Sequence, residues 1–158
     1  MDWNNWEPNL RANLLFLQRG DEVLLIRKKR GIGAGKINAP GGKIEPGESA
    51  AEGAARETQE EVGVTASGLR EMGVLHFQFT DGMALHCTVF HSTRFTGEAV
   101  ETDEAVPMWT RIEAIPYHEM WEDDIHWLPQ MLAGQTFEGF FEFDDDKMLS
   151  KKLSFAGD

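Results

Sequence analysis

The sequence has few cysteines and no long apolar run. Its single cysteine, Cys87, excludes an internal disulfide and a structural zinc site built from paired cysteines. No apolar run approaches the roughly 18 residues that a membrane-spanning helix needs. Residues 1–10 contain neither the basic nor the apolar segment of a secretory signal. We therefore expect a cytoplasmic protein that does not associate with membranes.

Positive charge is also scarce. The 15 lysines and arginines are outnumbered by 27 acidic residues, which gives a formal net charge of −12. Such a surface repels phosphate backbones and anionic lipids, so a nucleic-acid polymer and a membrane surface are both disfavoured as partners. The sequence shows no internal repeat and no linker. We expect one domain over residues 1–158, with a short N-terminal extension at 1–9, and a monomer.

The first half of the chain contains a hairpin, a loop and a helix. Apolar runs at residues 10–17 and 22–29 flank a turn at Arg19-Gly20-Asp21 and predict the hairpin. Residues 31–46 are rich in glycine and predict a long loop, a feature that usually has a function. Ser49 followed by Glu52 is a capping box, and the helix that it begins is predicted to end at Gly63.

The second half returns to strands. Residues 72–80 and 84–95 predict strands joined at Asp81-Gly82, and residues 107–112 predict another. Asp123 or Asp124 can cap a second helix that extends to about Leu132. Residues 137–143 and 148–155 predict a closing hairpin. These elements predict an α/β fold of the α+β type, with a mixed sheet and one helix on each face.

Three carboxylates lie on one face of the first helix. Glu57, Glu60 and Glu61 are spaced i, i+3 and i+4, in the C-terminal half of the helix, where the helix dipole favours cations instead. One interpretation is a solvated acidic surface. The other is a site for a hard cation such as Mg²⁺ or Mn²⁺, which prefer oxygen ligands. The helix alone does not decide between them.

The preceding loop favours the cation site. Gly42 is followed after five residues by Glu48, and after seven more by the run Arg56-Glu57-Thr58-Gln59-Glu60-Glu61-Val62-Gly63. This pattern resembles the loop–helix signature of Nudix hydrolases. Thr58 departs from it, since the family usually has a bulky aliphatic residue there, at a position that packs toward the sheet. The resemblance implies the Nudix fold, with a mixed sheet sandwiched between helices, and divalent-metal-dependent cleavage of a phosphoanhydride chain.

The resemblance also implies roles for individual residues. Arg56 is implied to hold Glu48 in place by paired hydrogen bonds. Bound Mg²⁺, for which Mn²⁺ would substitute, is implied to orient the phosphates and to activate a water. The metal ligands implied by the family are a backbone carbonyl at Gly41 or Gly42 and the carboxylates of Glu57, Glu60, Glu61 and Glu104. The resemblance also implies that Glu104 is a candidate general base.

Features outside the helix resemble one branch of the family, which hydrolyses oxidised purine nucleoside triphosphates such as 8-oxo-dGTP and 2-oxo-dATP to the monophosphate and pyrophosphate. This resemblance extends from about Leu10 to Leu153. It is carried by Lys28-Lys29-Arg30-Gly31, Gly33-Ala34-Gly35, Asn38, Gly41-Gly42-Lys43, Glu101, Asp103, Glu104, Trp121, Asp123, Asp124, Trp127 and Phe140-Phe141.

The branch implies how a base would be recognised. Trp121 would stack on the base, Asn38 would bind the purine edge, and Asp123 with Asp124 would read its Watson–Crick edge. Because neighbouring buried carboxylates do not both ionise easily, one of the pair could hold a proton and donate it. The remaining residues implied to contact substrate are Lys28, Asn13 and Phe77.

Each of these residues has a structural alternative. An aspartate before a helix is commonly an N-cap, tryptophan is commonly a core residue, and asparagine is common in left-handed turns. The chain also departs from the branch at Ile32 and Ile37, where relatives have aromatic residues, and at Pro40. Alternative substrates are therefore ADP-ribose, a dinucleotide or a cap-like compound. A non-catalytic nucleotide sensor is a further alternative, although this chain keeps every carboxylate of the signature.

Overall fold

The computed structural model describes residues 1–156. None of the helices in this part of the chain has both the length and the apolar character needed to cross a membrane. The chain forms eleven strands and two α-helices, together with short 3-10 helices at Trp3–Asn5, Ile112–Ala114 and Tyr117–Glu119. In chain order the elements are β1 Leu10–Arg19, β2 Glu22–Lys28, β3 Ile37–Asn38, β4 Gly41–Lys43, α1 Ala50–Val62, β5 Thr65–Ser67, β6 Arg70–Phe79, β7 Ala84–Ser92, β8 Arg94–Thr96, β9 Ala105–Arg111, α2 Asp124–Leu132, β10 Phe137–Asp144 and β11 Lys147–Phe155.

Nine strands form one mixed sheet. Its order is β11-β10-β6-β7-β1-β2-β3, with β4 paired to β1 and β9 paired to β2. The pairs β1–β7 and β10–β6 are parallel, and the other pairs in this sheet are antiparallel. Strands β5 and β8 form a separate two-stranded sheet. The prediction of a mixed sheet is confirmed.

Each face of the large sheet is covered by one helix. Successive side chains of a strand point to opposite faces, and β1 shows this directly. Leu15 and Leu17 pack in the same cluster as Ala54 of α1. Phe16, between them, packs in the other cluster with Trp127 of α2. The predicted arrangement of one helix on each face is therefore confirmed.

The helix α1 begins and ends as the sequence predicts. The hydroxyl of Ser49 accepts a bond from the amide of Glu52 at 3.0 Å, and the carboxylate of Glu52 accepts one from the amide of Ser49 at 2.8 Å. Gly63 ends the helix in the left-handed conformation with φ 77°. Thr58 is fully buried, and its hydroxyl donates to the carbonyl of Ala54 at 2.8 Å, so its polar atom is paired inside the helix.

Two predictions of strand boundaries were wrong. Residues 31–46 are not one continuous loop, because β3 and β4 form within them by pairing with β2 and β1. Residues 84–95 are not one strand, because the chain leaves the large sheet after Ser92 and pairs as β8 with β5. Both differences arise from pairing with distant segments, which local sequence patterns do not report.

The N-terminal extension packs on the sheet. The ring of Trp3 lies 5.2 Å from that of Phe140, and the ring of Trp6 lies 5.4 Å from that of His76. The indole N–H of Trp6 also donates to the side chain of Gln78 at 2.9 Å. By strand alternation, these partners lie on the face of β6 and β10 opposite to α2. The extension therefore covers apolar surface at this end of the sheet.

Candidate active site

Arg56 connects the helix α1 to the loop before it. Its Nε and Nη2 atoms donate to the two carboxylate oxygens of Glu48 at 3.0 and 2.8 Å, a bidentate pair. These bonds, together with a bond from the amide of Glu45, lower the pKa of Glu48 to about 2. Glu48 is therefore ionised at neutral pH, and the structure brings together the pair that the sequence analysis proposed.

The same guanidinium contacts the acidic stripe, which we define as Glu57, Glu60 and Glu61. The Nη1 atom of Arg56 lies 3.0 Å from Oε1 of Glu57 and 3.1 Å from Oε2 of Glu60. One cation therefore offsets much of the repulsion between carboxylates that share a helix face.

Glu61 lies deepest in the acidic stripe. It is 3% exposed, and its carboxylate accepts a bond from the amide of Gly41 at 2.9 Å. Burial, and then the charges of Glu57 and Glu104, raise the pKa of Glu61 to about 8. Burial also raises the pKa of Glu57, although Arg56 opposes that shift. Negative charge at this site is thus incompletely compensated by the protein itself.

Glu104 reaches this site from another part of the chain. The hydroxyl of Thr102 donates to the carbonyl of Glu61 at 2.6 Å and accepts from the amide of Glu104 at 3.2 Å. This link holds the segment before β9 against the end of α1. The charge of Glu104 raises the pKa of both Glu57 and Glu61, so the structure brings this predicted residue to the acidic stripe.

Gly42 permits a close approach between β4 and the acidic stripe. A Cβ atom at this position would lie 2.8 to 3.0 Å from the carboxylate atoms of Glu57, closer than real Cβ atoms come to a neighbour. The amide of Gly42 donates to Asn13 at 3.2 Å, which fixes β4 beside β1. A side chain at this position would displace the carboxylate of Glu57, so glycine lets β4 lie against the acidic stripe as it stands.

The site has the chemistry of a hard-cation site. Within residues 1–156, no three His, Cys, Asp or Glu side chains converge closely enough to hold an ion together. Arg56 instead holds Glu57 and Glu60, and the amide of Gly41 holds Glu61. The atoms available to a metal ion are all carboxylate oxygens. Burial together with mutual repulsion raises the pKa of two of these carboxyl groups, Glu57 and Glu61. A divalent cation would relieve this repulsion, so the residues fit such an ion.

A cavity of about 310 Å³ opens beside the glycines of β4. It lies between the sheet and the segment before α2, and apolar side chains form most of its walls. All seven residues that the branch resemblance implies for substrate binding lie here. The lining includes Asn13, Lys28, Asn38, Gly41, Gly42, Phe77, Trp121, Asp123 and Asp124.

Asp123 and Asp124 are buried in the wall of this cavity, 1% and 3% exposed. Burial raises the pKa of Asp123 to about 6, and burial together with the charge of Asp123 raises that of Asp124 well above its ordinary value. One oxygen of Asp123 accepts from the indole of Trp127 at 2.8 Å. Oδ1 of Asp123 and Oδ2 of Asp124 have no hydrogen-bond partner within residues 1–156.

The interpretation of Asp123 as a capping side chain is wrong. Asp123 occupies the N-cap position of α2, but its side chain makes no capping bond and accepts from Trp127 instead. The core interpretation holds for Trp127, which is fully buried. It does not describe Trp121, which is partly exposed and lines the cavity. The unpartnered oxygens therefore distinguish the aspartate pair from a structural cap.

The two asparagines at the cavity, Asn13 and Asn38, also make hydrogen bonds within the protein. The side-chain oxygen of Asn38 accepts from the amide of Ala39 at 2.8 Å, which leaves its NH₂ group for a ligand. Asn13 is buried, and its amide bonds Gly42 and the carbonyl of Ala50, so it joins three elements. Of the two isoleucine departures, Ile32 lines the cavity, whereas Ile37 is buried in the core.

Leu85 and Cys87 line the cavity although no sequence motif marks them as site residues. Both lie on β7 and point to the cavity, two positions apart. Cys87 is buried, and Leu85 is partly buried. The period of two in β7 placed them on one face, but it could not indicate that a cavity lies over that face.

The fold and the acidic stripe define a class of protein. The sequence matches the NUDIX domain over residues 8–131, and the chain therefore belongs to the Nudix hydrolase family. The fold is that of a solved relative, the crystal structure of a MutT protein from Bacillus halodurans. That structure superposes with a TM-score of 0.80 at 27% identity and covers 92% of this chain and 97% of the other.

Two curated proteins named oxidized purine nucleoside triphosphate hydrolase are similar over most of the chain. The protein from Danio rerio is 42% identical over 144 residues, which cover 89% of this chain and 90% of the relative. The protein from Mus musculus is 37% identical over 144 residues, which cover 89% of this chain and 91% of the relative. The predicted family and its enzyme class are thus confirmed.

Proposed function

We propose that this protein hydrolyses oxidised purine nucleoside triphosphates, of the 8-oxo-dGTP and 2-oxo-dATP type, to the monophosphate and pyrophosphate, and so removes damaged nucleotides from the pool. The observation that carries the proposal is the buried pair Asp123 and Asp124, which lines a cavity next to Gly42 and the acidic stripe and in which one oxygen of each carboxyl group has no hydrogen-bond partner within residues 1–156. The names of the Danio rerio and Mus musculus relatives support the same substrate class.

The aspartate pair can present two hydrogen-bonding patterns. Burial and mutual repulsion favour the neutral form of Asp124, which can donate, while an ionised Asp123 accepts. Transfer of the proton between them exchanges the two roles. Such a pair can bind the edge of an oxidised guanine in one state and that of an oxidised adenine in the other. Stacking on Trp121 and a bond from the NH₂ group of Asn38 would complete recognition of the base.

The acidic stripe, Glu57, Glu60 and Glu61, would hold Mg²⁺ together with Glu104 and a backbone carbonyl at Gly41 or Gly42. Bound metal supplies charge neutralisation for the phosphate oxygens and lowers the pKa of the attacking water. Arg56 keeps Glu48, Glu57 and Glu60 in place through four hydrogen bonds. Glu104, at the edge of the site, can accept the proton of the water that attacks phosphorus. Lys28 faces both the cavity and Glu61, where it can offset negative charge.

The test is a panel of nucleotides assayed for pyrophosphate release with Mg²⁺. We expect kcat/KM for 8-oxo-dGTP or 2-oxo-dATP to exceed that for dGTP and dATP by about tenfold or more, since a matched hydrogen-bonding pattern contributes roughly 1–3 kcal/mol. ADP-ribose, a dinucleoside polyphosphate and a capped dinucleotide complete the panel. Preferred cleavage of one of these three would replace the proposal, and absence of any turnover would favour a nucleotide sensor.

The proposal includes the oligomeric state, the partners and the cellular location of the protein. We propose a single domain over residues 1–158, in which the extension at 1–9 covers one end of the sheet, acting as a monomer on a small-molecule nucleotide. A nucleic-acid polymer and a membrane are not partners in this proposal, because the net charge is −12. A cytoplasmic location is part of the proposal, and the unpaired Cys87 supports it.

A further inference from the structure

Four segments of the chain meet around the indole of Trp121. The ring contacts the edge of Phe79 from β6, with centroids 6.0 Å apart and planes at 80°. It contacts Phe143 from β10 in the same way, at 5.6 Å and 82°. These edge-to-face contacts fix the ring along part of its perimeter. The remaining contacts come from the loop at residues 31–36 and from the turn between β10 and β11.

Lys36 lies over the ring of Trp121. Its ammonium is 5.2 Å from the ring centroid and 3.3 Å from a carboxylate oxygen of Asp146, in the turn between β10 and β11. Lys36 is not among the described residues that line the cavity, whereas Trp121 is. The cation therefore contacts the ring from outside the cavity, and Asp146 holds it there.

The backbone of the loop fixes the position of Lys36. Its amide donates to the carbonyl of Gly33 at 2.9 Å, and its carbonyl accepts from the amide of Lys28 at 3.1 Å. Gly33 has φ +78°, and a Cβ there would lie 2.9 Å from Nε1 of Trp121. The loop thus lies directly against the edge of the indole, and only glycine leaves room for that approach.

A second link joins the same turn to the residue after Trp121. The carboxylate of Glu122 accepts from the amide of Met148, at the start of β11, at 2.6 Å. The hydroxyl of Thr80 donates to Asp144 at 2.6 Å and holds the turn against the end of β6. The turn between β10 and β11 is therefore anchored, and it can support both Lys36 and the backbone beside Trp121.

We propose that Lys36, held by Asp146, is a positioning residue for base recognition. It supports the outer face of Trp121, so that the inner face stays in the orientation on which a planar base can stack. The inference rests on the proposed function, because it assigns the inner face of Trp121 to the base. Lys36 acts through Trp121 and does not contact the acidic stripe, so its effect falls on binding.

The kinetic test uses Lys36→Met, which keeps the apolar stem and removes the charge. We expect KM for the preferred oxidised nucleotide to rise about three- to tenfold, with kcat within about twofold of the starting protein. Asp146→Asn should produce the same change, and the double variant should be less than additive, because the pair acts as a unit. Lys36→Arg, which keeps the positive charge, should leave KM at the value of the starting protein. The matched control is Lys147→Met, which removes an exposed lysine next to the same turn.

A second measurement needs no nucleotide. The NMR resonance of the indole N–H of Trp121 can be assigned by its loss in Trp121→Phe. Its chemical shift should change in Lys36→Met and in Asp146→Asn, and it should not change in Lys147→Met. An unmoved signal overturns the proposal. If the resonance moves but KM for the oxidised nucleotide is the same in Lys36→Met as in the starting protein, the role in recognition is overturned. If the signal moves while the best substrate proves not to be an oxidised purine, the positioning role stands and the proposed substrate fails.

Discussion

Single residues at this site lie where their charged form is unfavourable. Glu61 and Asp124 are carboxyl groups buried where the charged form is disfavoured, and burial is the largest cause of each shift in pKa. A protein selected for stability alone would place neutral groups there. Such groups are common where a ligand supplies the missing partner, as a cation would for Glu61 and a base would for Asp124.

Glu60 tests the acidic stripe with little risk to folding, because its side chain is 47% exposed. We expect Glu60→Gln to lose about a hundredfold or more of kcat, since the amide cannot replace a charged cation ligand. The free energy of unfolding, measured with urea, should change by less than about 0.5 kcal/mol. Glu98→Gln, which changes an exposed carboxylate outside the stripe, is the control. Full turnover in Glu60→Gln would remove Glu60 from the metal site.

Asp124 gives a prediction that depends on pH. Because the folded-state pKa of both aspartates is raised, the stability of the pair is complete below about pH 4 and decreases as pH rises through the folded values, about 6 for Asp123. Asp124→Asn removes the group that resists ionisation. We expect it to raise the free energy of unfolding at pH 8 by about 1–3 kcal/mol relative to the starting protein, and to have almost no such effect at pH 4.

The same variant should change recognition. An asparagine cannot exchange a proton with Asp123, so the ratio of kcat/KM for 8-oxo-dGTP to that for 2-oxo-dATP should move by about tenfold or more. Urea unfolding from pH 4 to pH 8 and paired nucleotide assays measure both effects. An unaltered ratio would show that the pair does not read the base, whatever the result for stability.

At the scale of elements, local signals predicted what local interactions determine. The capping box at Ser49 and the left-handed Gly63 set the bounds of α1, and both could be predicted from sequence. The pairing of β8 with β5 could not, because it depends on segments about thirty residues apart. Asp123 shows the limit most clearly. The same residue type serves as an N-cap or as a buried acceptor, and the tertiary contact with Trp127 decides which.

The N-terminal extension predicts a structural effect without a catalytic one. We expect Trp6→Ala to lower the free energy of unfolding by about 1–3 kcal/mol, because it removes the contact with His76 and the bond to Gln78. These contacts lie on the sheet face opposite to the cavity, so kcat and KM should stay within about twofold. Asn5→Ala, at the end of the 3-10 helix just before Trp6, is the control. A loss of activity at full stability would give the extension a direct role in the site.

At the scale of the whole molecule, the chain has a net charge of −12 and belongs to a family whose reaction acts on phosphoanhydrides. The sequence predicted the mixed sheet and the acidic stripe, because both depend on periodic patterns. It could not predict the cavity, which is enclosed by residues from β1, β3, β6, β7 and the segment before α2. The cavity and the stripe meet at Gly41 and Gly42. A polyphosphate that extends from the cavity would therefore pass over the stripe, where the protein alone would repel it.

This arrangement predicts that divalent cations stabilise the folded chain. An ion that binds the assembled acidic stripe, and not the unfolded chain, raises the midpoint of thermal unfolding by mass action. We expect millimolar MnCl₂ or MgCl₂ to raise Tm by about 2–6 °C, and NaCl at equal ionic strength to raise it by less than 1 °C. Glu57→Gln with Glu60→Gln should abolish the difference between the salts, and excess EDTA should remove both the stabilisation and turnover. An equal response to NaCl and MnCl₂ would mean that the stripe is only a solvated acidic surface, because screening alone would then account for the effect.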